Sequence, residues 1–157
     1  MADPHRPFRA SYLVTGSSRE RIFAALLDVR RFPEWAHGLR SVRVLDTERG
    51  TETSEVCPGV ALEFTLSAAS LTHRVVGTVT VVEPPHRLGW RYTEGATGSG
   101  GWLLDDVGDT VRLTLSTDYM VKPPWLDSIA HRPFFRGLTE DLLRRSIRRF
   151  ERYLNEA

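Results

Sequence analysis

The stretch from Ser17 to Leu45, SSRERIFAALLDVRRFPEWAHGLRSVRVL, constrains the fold more than any other, because it sets a capped helix, an aromatic turn and a strand in one unbroken run. Ser17 and Glu20 stand at the Ser-x-x-Glu spacing at which each side chain can satisfy an exposed N–H at a helix start. From there the spacing predicts a helix to about Val29. Its Ile22, Phe23, Leu26 and Leu27 recur at three and four residues and form one apolar stripe able to dock on a sheet. Pro33 interrupts the pattern. The residue before a proline is pushed out of the helical region, so Phe32 turns, and Pro33-Glu34-Trp35 is placed to open a second short helix with proline in its first turn. The expected product is helix, kink, helix, and then a strand carrying Val42 and Val44.

The rest of the chain alternates. A first strand is expected from Phe8 to Thr15, ended by Gly16. After Leu45, period-two runs hold Val60, Leu62, Phe64 and Leu66; His73, Val75, Gly77, Val79 and Val81; Leu88, Trp90 and Tyr92; and Val111, Leu113, Leu115, Thr117 and Tyr119. One apolar face per strand means antiparallel strands covered on one side, and the turn signals at Gly50, Pro84-Pro85, Gly95 and Gly108-Asp109 favour a meander over parallel units. A last helix from about Phe134 to Leu154 would span about 30 Å. Phe135, Leu138, Leu142, Ile147, Phe150 and Leu154 form its apolar side, and Arg144, Arg148 and Arg152 face away.

With 157 residues the chain fits one domain, residues 1–157, large enough for a sizeable core. Its 21 basic and 20 acidic residues nearly cancel, so bulk charge demands neither nucleic acid nor an anionic membrane. Seven arginines do fall between Arg132 and Arg152, most on the outer face of the last helix, where a solvated face is the plainer reading than a docking patch. The single Cys57 excludes an internal disulfide. No apolar stretch reaches membrane-spanning length, so no membrane insertion is expected, and residues 1 to 10 are polar and proline-broken; a cytoplasmic location is expected.

The run Leu26-Leu27-Asp28-Val29, then Arg31-Phe32-Pro33-Glu34-Trp35, then Val42 and Val44 on a strand, resembles the opening of the START/Bet v 1-like superfamily, in its bacterial polyketide cyclase/dehydrase branch. The remaining elements follow in that family's order over nearly the whole chain. The resemblance implies an α+β helix-grip fold, in which a seven-stranded curved antiparallel sheet wraps a long C-terminal helix, two short helices join strands 1 and 2, and a hydrophobic small molecule occupies the space between sheet and helix. Lys122 to Phe135, rich in proline and aromatics, would lie at the mouth of that space as a lid or rim.

Inward phase selects His73, Trp90, Tyr92, Thr117 and Tyr119 as lining residues, with Trp102 joining them. Large aromatics with hydrogen-bonding tips on neighbouring strands suit a small-molecule site. Trp35, Phe64, Trp125, Phe135, Leu138 and Leu142 complete the expected ligand-binding set. His73 is the least comfortable as plain core: a buried imidazole needs a partner, such as Tyr92, or is offered to a ligand.

Enzyme motifs of other classes are absent. His5, His37, His73, His86 and His131 stand at no metal-ligand spacing, so neither a metal nor another cofactor is expected. The run Gly95 to Gly101 lacks a following lysine and leads into a strand, which rejects a phosphate loop. Two classes of function survive. In one, the pocket folds a poly-β-ketone chain, with His73 as base and Tyr92, Tyr119 and Arg40 as donors to ketone or enolate oxygens, for aldol closure and dehydration. In the other the protein only binds a polycyclic or polyketide-type molecule, as carrier, chaperone or resistance protein in natural-product biosynthesis, or binds a lipid. Relatives that protect enediyne producers let the drug attack their own backbone, and Gly98 to Gly101 would offer such Cα–H bonds, although a hairpin with tolerated glycines is the plainer reading. A biosynthetic partner protein, no nucleic acid, and a monomer or weak dimer complete the expectations, with the arginine-rich helix as the surface of a weaker interaction-module reading.

Overall fold

The computed structural model describes residues 8–68, 71–121 and 133–156, with side chains over 9–67, 72–118 and 144–156. Strand β1 (Phe8–Thr15) leads to helix α1 (Arg19–Leu27) and a 3-10 segment (Val29–Glu34). Strands β2 (Leu39–Asp46), β3 (Thr51–Glu52), β4 (Ala61–Ala68), β5 (Leu71–Glu83), β6 (Arg87–Glu94), β7 (Ala96–Val107) and β8 (Thr110–Val121) follow, and helix α2 (Pro133–Glu156) ends the chain. The sheet order is β1-β8-β7-β6-β5-β4-β2-β3, antiparallel at every pairing. This is the helix-grip architecture, with eight strands in place of the expected seven. The additional strand, β3, is two residues long and pairs only with the end of β2, too short for a period-two pattern to register.

Near α1 the sequence pattern slips by one residue. The cap is Ser18, whose Oγ accepts from the Arg21 N–H at 3.2 Å, and not Ser17. The residue three beyond Ser18 is Arg21, so no reciprocal carboxylate closes a capping box. Ile22, Phe23 and Leu26 are buried as the apolar stripe requires. The second helix also differs: Pro33 stands near the end of the 3-10 segment, which begins at Val29 and whose Trp35 N–H closes back on the Phe32 carbonyl. Tight three-residue turns let Val29, Phe32 and Trp35 all face the core.

Hydrogen bonds tie helix α2 to the rest. The buried Ser146 Oγ accepts from the His37 backbone N–H at 2.8 Å, and the Arg21 guanidinium donates to the Leu154 carbonyl near the helix end. Ile147, Phe150 and Leu154 enter the core beside Trp35 and Trp102. On the convex face, Glu52, Arg43, Glu63, Arg74 and Glu94 form a ladder of ion pairs across five strands, from β3 to β6.

Candidate functional site on the concave face

Cross-strand register decides which side chains meet inside the sheet. Phe64 of β4 lies opposite Val75 of β5, Val79 opposite Trp90 of β6, Trp90 opposite Gly100 of β7, and Gly100 opposite Thr117 of β8. Opposed residues share a face, so Phe64, Trp90 and Thr117 are gathered from positions distant in the chain. The Phe64 and Trp90 rings stand 6.2 Å apart, and the Trp90 and Tyr92 rings 6.5 Å apart edge-on at 77°.

The indole of Trp90 lies flat because both flanking strands carry glycine beneath it. A Cβ on Gly77 would sit 3.1 Å from Trp90 Cδ1, and one on Gly100 would sit 2.9 Å from Cε2, Cζ2 and Nε1. Trp90 is 7% exposed, and its Nε1 donor is buried with no hydrogen-bond partner. Gly101 is required for a different close approach, since a Cβ there would meet the Leu88 carbonyl at 2.8 Å. The glycine run therefore belongs to strand β7, packed tightly on β6 at Gly100 and Gly101, where the sequence suggested a hairpin with tolerated glycines.

Two polar contacts complete the group. The hydroxyls of Tyr92 and Thr117 are 3.2 Å apart. His73 Nε2 is 3.0 Å from the Gly95 carbonyl oxygen. A carbonyl only accepts, so the proton sits on Nε2, and in the neutral ring Nδ1 is left as the acceptor. The partner of His73 is thus a backbone carbonyl at the β6–β7 turn and not Tyr92. That turn is fixed by Gly95 at φ +78°, where a Cβ would fall 2.2 Å from the Arg74 carbonyl oxygen.

Other expected lining residues fall elsewhere. Trp35 and Trp102 are 3% and 6% exposed, 6.5 Å apart, with the Trp35 ring 4.6 Å from that of Phe150 of α2 and tilted by 52° to it. They belong to the sealed end of the concave face, under the C-terminal half of α2. Arg40 is exposed on β2, at the bulge between Leu39 and Ser41. Trp125 lies outside the described residues, as do residues 122–132 of the lid expected from Lys122 to Phe135, whose last three residues open helix α2; the side chains of Tyr119, Phe135, Leu138 and Leu142 also lie outside them. What sequence reasoning missed is the pairing of Gly77 and Gly100 around Trp90. Gly77 stood in inward phase, but only register sets Gly100 opposite the indole. Among the described residues no helix is long and apolar enough to cross a membrane.

The family model described as polyketide cyclase / dehydrase and lipid transport matches residues 14–155. Solved structures agree in fold. An aromatase/cyclase from a Streptomyces species superposes with TM-score 0.72 at 13% identity, over 96% of this chain and 93% of that one. A START superfamily protein from Mycobacterium smegmatis gives 0.70 at 14% identity, over 96% and 97%. A Deinococcus radiodurans protein gives 0.63 at 22% identity, over 94% and 95%. No curated protein matches the chain significantly.

Proposed function

Because the chain belongs to the polyketide cyclase / dehydrase and lipid transport family, we propose that it binds a polycyclic aromatic or polyketide-type small molecule between the concave sheet face and α2, as a carrier, chaperone or resistance protein in natural-product biosynthesis. One observation carries this reading. Phe64, Tyr92 and Thr117 remain half-buried beside the buried Trp90, and His73 is half-buried farther along at the β6–β7 turn, while the opposite end of the same face, around Trp35, Trp102 and Phe150, is sealed. An apolar floor edged by a few hydroxyl and imidazole groups suits a flat ligand bearing scattered oxygens. The Tyr92–Thr117 pair can turn either hydroxyl toward a ligand carbonyl without breaking the contact between them.

Titration with planar tetracyclic phenols tests the proposal through tryptophan fluorescence, since Trp90 forms the floor. Binding in the micromolar range is expected, as for an apolar pocket with few polar anchors. If neither such polycycles nor fatty acids change the emission, the binding reading falls.

A second reading, an aromatase/cyclase, is favoured by the tautomer of His73: with Nε2–H held by Gly95, Nδ1 is an acceptor able to take a proton. The solved Streptomyces aromatase/cyclase shares this fold. His73→Ala separates the readings. A general base predicts turnover falling about a hundredfold with binding nearly intact. An anchor predicts weaker binding and no turnover to lose, and a purely structural histidine predicts only a lower melting temperature.

A further inference from the structure

Arginines crowd one face of α2. Elsewhere Arg43, Arg74, Arg87, Arg19 and Arg31 each meet a carboxylate, whereas Arg9, Arg40, Arg49, Arg91 and Arg112 stand singly on the sheet and its turns, exposed and without an ion pair among the described residues. On α2, Arg144, Arg148, Arg149 and Arg152 are exposed and form no ion pair among the described residues. At about 100° per residue, these four and Arg145 fan over about 140° of the helix surface and about 12 Å of its length. No carboxylate interrupts the fan between Arg144 and Arg149; Glu140 and Asp141 precede it by one helical turn, Glu151 borders one side and Glu156 ends it. Arg144 and Arg148, Arg148 and Arg152, and Arg145 and Arg149 are like-charge neighbours four residues apart, which weakens a helix.

Beside the fan lies a cleft of about 370 Å³, lined by Arg31, Glu34, Arg149, Arg152, Tyr153 and Glu156. Tyr153 is its one aromatic lining residue, with its ring stacked on Phe150 and covered by the Arg31 guanidinium 5.0 Å from its centroid. Burial raises the Tyr153 hydroxyl above its ordinary range, against the pull of Arg31, so Tyr153 stays neutral.

We propose that this face docks an acidic amphipathic helix of a partner protein, its carboxylates on the arginine rows and one apolar side chain in the cleft at the edge of the Tyr153 ring. Carboxylates four residues apart on a helix repeat at about 6 Å, the spacing of the arginine row it would meet. Arginine and tyrosine are also the side chains that most often anchor interfaces. A polynucleotide or an anionic membrane fits less well. The positive face is only two turns long, Glu34, Glu151 and Glu156 border it, and the 21 basic and 20 acidic residues of the whole chain leave no wider field. This inference goes beyond small-molecule binding and does not depend on it.

The test is calorimetric titration of the full chain with a stapled helical peptide of about 16 residues, glutamates at i, i+4 and i+8 and a central leucine, in low salt. Binding in about the ten to hundred micromolar range is expected, at least about fivefold tighter than for a scrambled peptide of equal charge. Arg148→Glu/Arg152→Glu should weaken it at least about tenfold, and added salt should weaken it progressively. The proposal is overturned if the stapled peptide does not bind, if scrambled and stapled peptides bind alike, or if the double variant binds as the parent does. Tighter binding to phosphatidylserine vesicles or to a DNA duplex than to the peptide would also overturn it, and would assign the face to a membrane or a nucleic acid.

Discussion

A methyl group on Gly100 would stand 2.9 Å from three atoms of the Trp90 indole, and the indole is backed by Gly77 on its other flank, so it has little room to yield. Gly100→Ala should therefore lower stability by about 1–3 kcal/mol, the usual cost of overpacking. Gly89→Ala is the control. Its Cβ would meet nothing nearer than 3.6 Å, so it should fall within about 0.5 kcal/mol of the parent. Because the clash is with one ring, Gly100→Ala combined with Trp90→Phe should cost less than the two changes added, as denaturant melts of the four proteins will show. An additive result would mean that the strain lies in the backbone. Here the sequence was only half legible. Trp90, Tyr92 and Thr117 were readable as inward residues from period two alone. The reason for a glycine at position 100 was not, because it resides in a residue ten positions earlier on a neighbouring strand.

At the scale of single elements, the first helix shows how local rules can point one residue astray. Ser17-x-x-Glu20 has capping-box spacing, yet Ser18 holds the cap, and the Ser17 Oγ is buried without a hydrogen-bond partner. Ser18→Ala should cost about 1 kcal/mol, whereas Ser17→Ala should be neutral or slightly stabilising, since it removes an unsatisfied buried hydroxyl. Equal losses from both would restore the Ser17 reading. The helix start was legible from the sequence; the choice between adjacent serines depends on where β1 and Gly16 release the chain, which is tertiary. Helix α2 supports a prediction of the opposite sign. Arg148→Glu turns two repulsive four-residue neighbours, Arg144 and Arg152, into attractive ones, and should raise stability by about 1 kcal/mol at low salt, less at high salt. Thermal melts at two ionic strengths measure this, and an unchanged or lower melting temperature would show that the arginine fan carries no repulsion.

Across the whole molecule, the antiparallel meander and the long amphipathic helix were legible because each announces itself in a periodicity that no other element shares. The site was legible only in part, since it depends on how a bent sheet distributes the same kind of residue. A bulge at Thr93 of β6, opposite the Val76–Gly77 step, and another at Thr80 of β5, between Val79 and Val81, add local bending to these strands. At one end of the resulting concavity Trp35, Trp102 and Phe150 close on each other; at the other Phe64, His73, Tyr92 and Thr117 stay half-buried. Period two assigns all the strand residues among these to one face and cannot tell the sealed end from the half-buried one. If the half-buried end is where a ligand binds, occupancy should stabilise the entire cooperative unit. A ligand at a hundredfold excess over its Kd adds about 2.7 kcal/mol, and a domain of this size melts about 2–4 °C higher per kcal/mol, so a rise of about 5–10 °C is expected. The rise should continue with the logarithm of ligand concentration and should shrink in Tyr92→Phe/Thr117→Val, which removes the hydroxyl pair but keeps the apolar floor. A ligand that quenched tryptophan emission yet left the melting temperature unmoved at every concentration would be bound no better by the folded protein than by the unfolded chain, and the concave face would lose its claim to be the site.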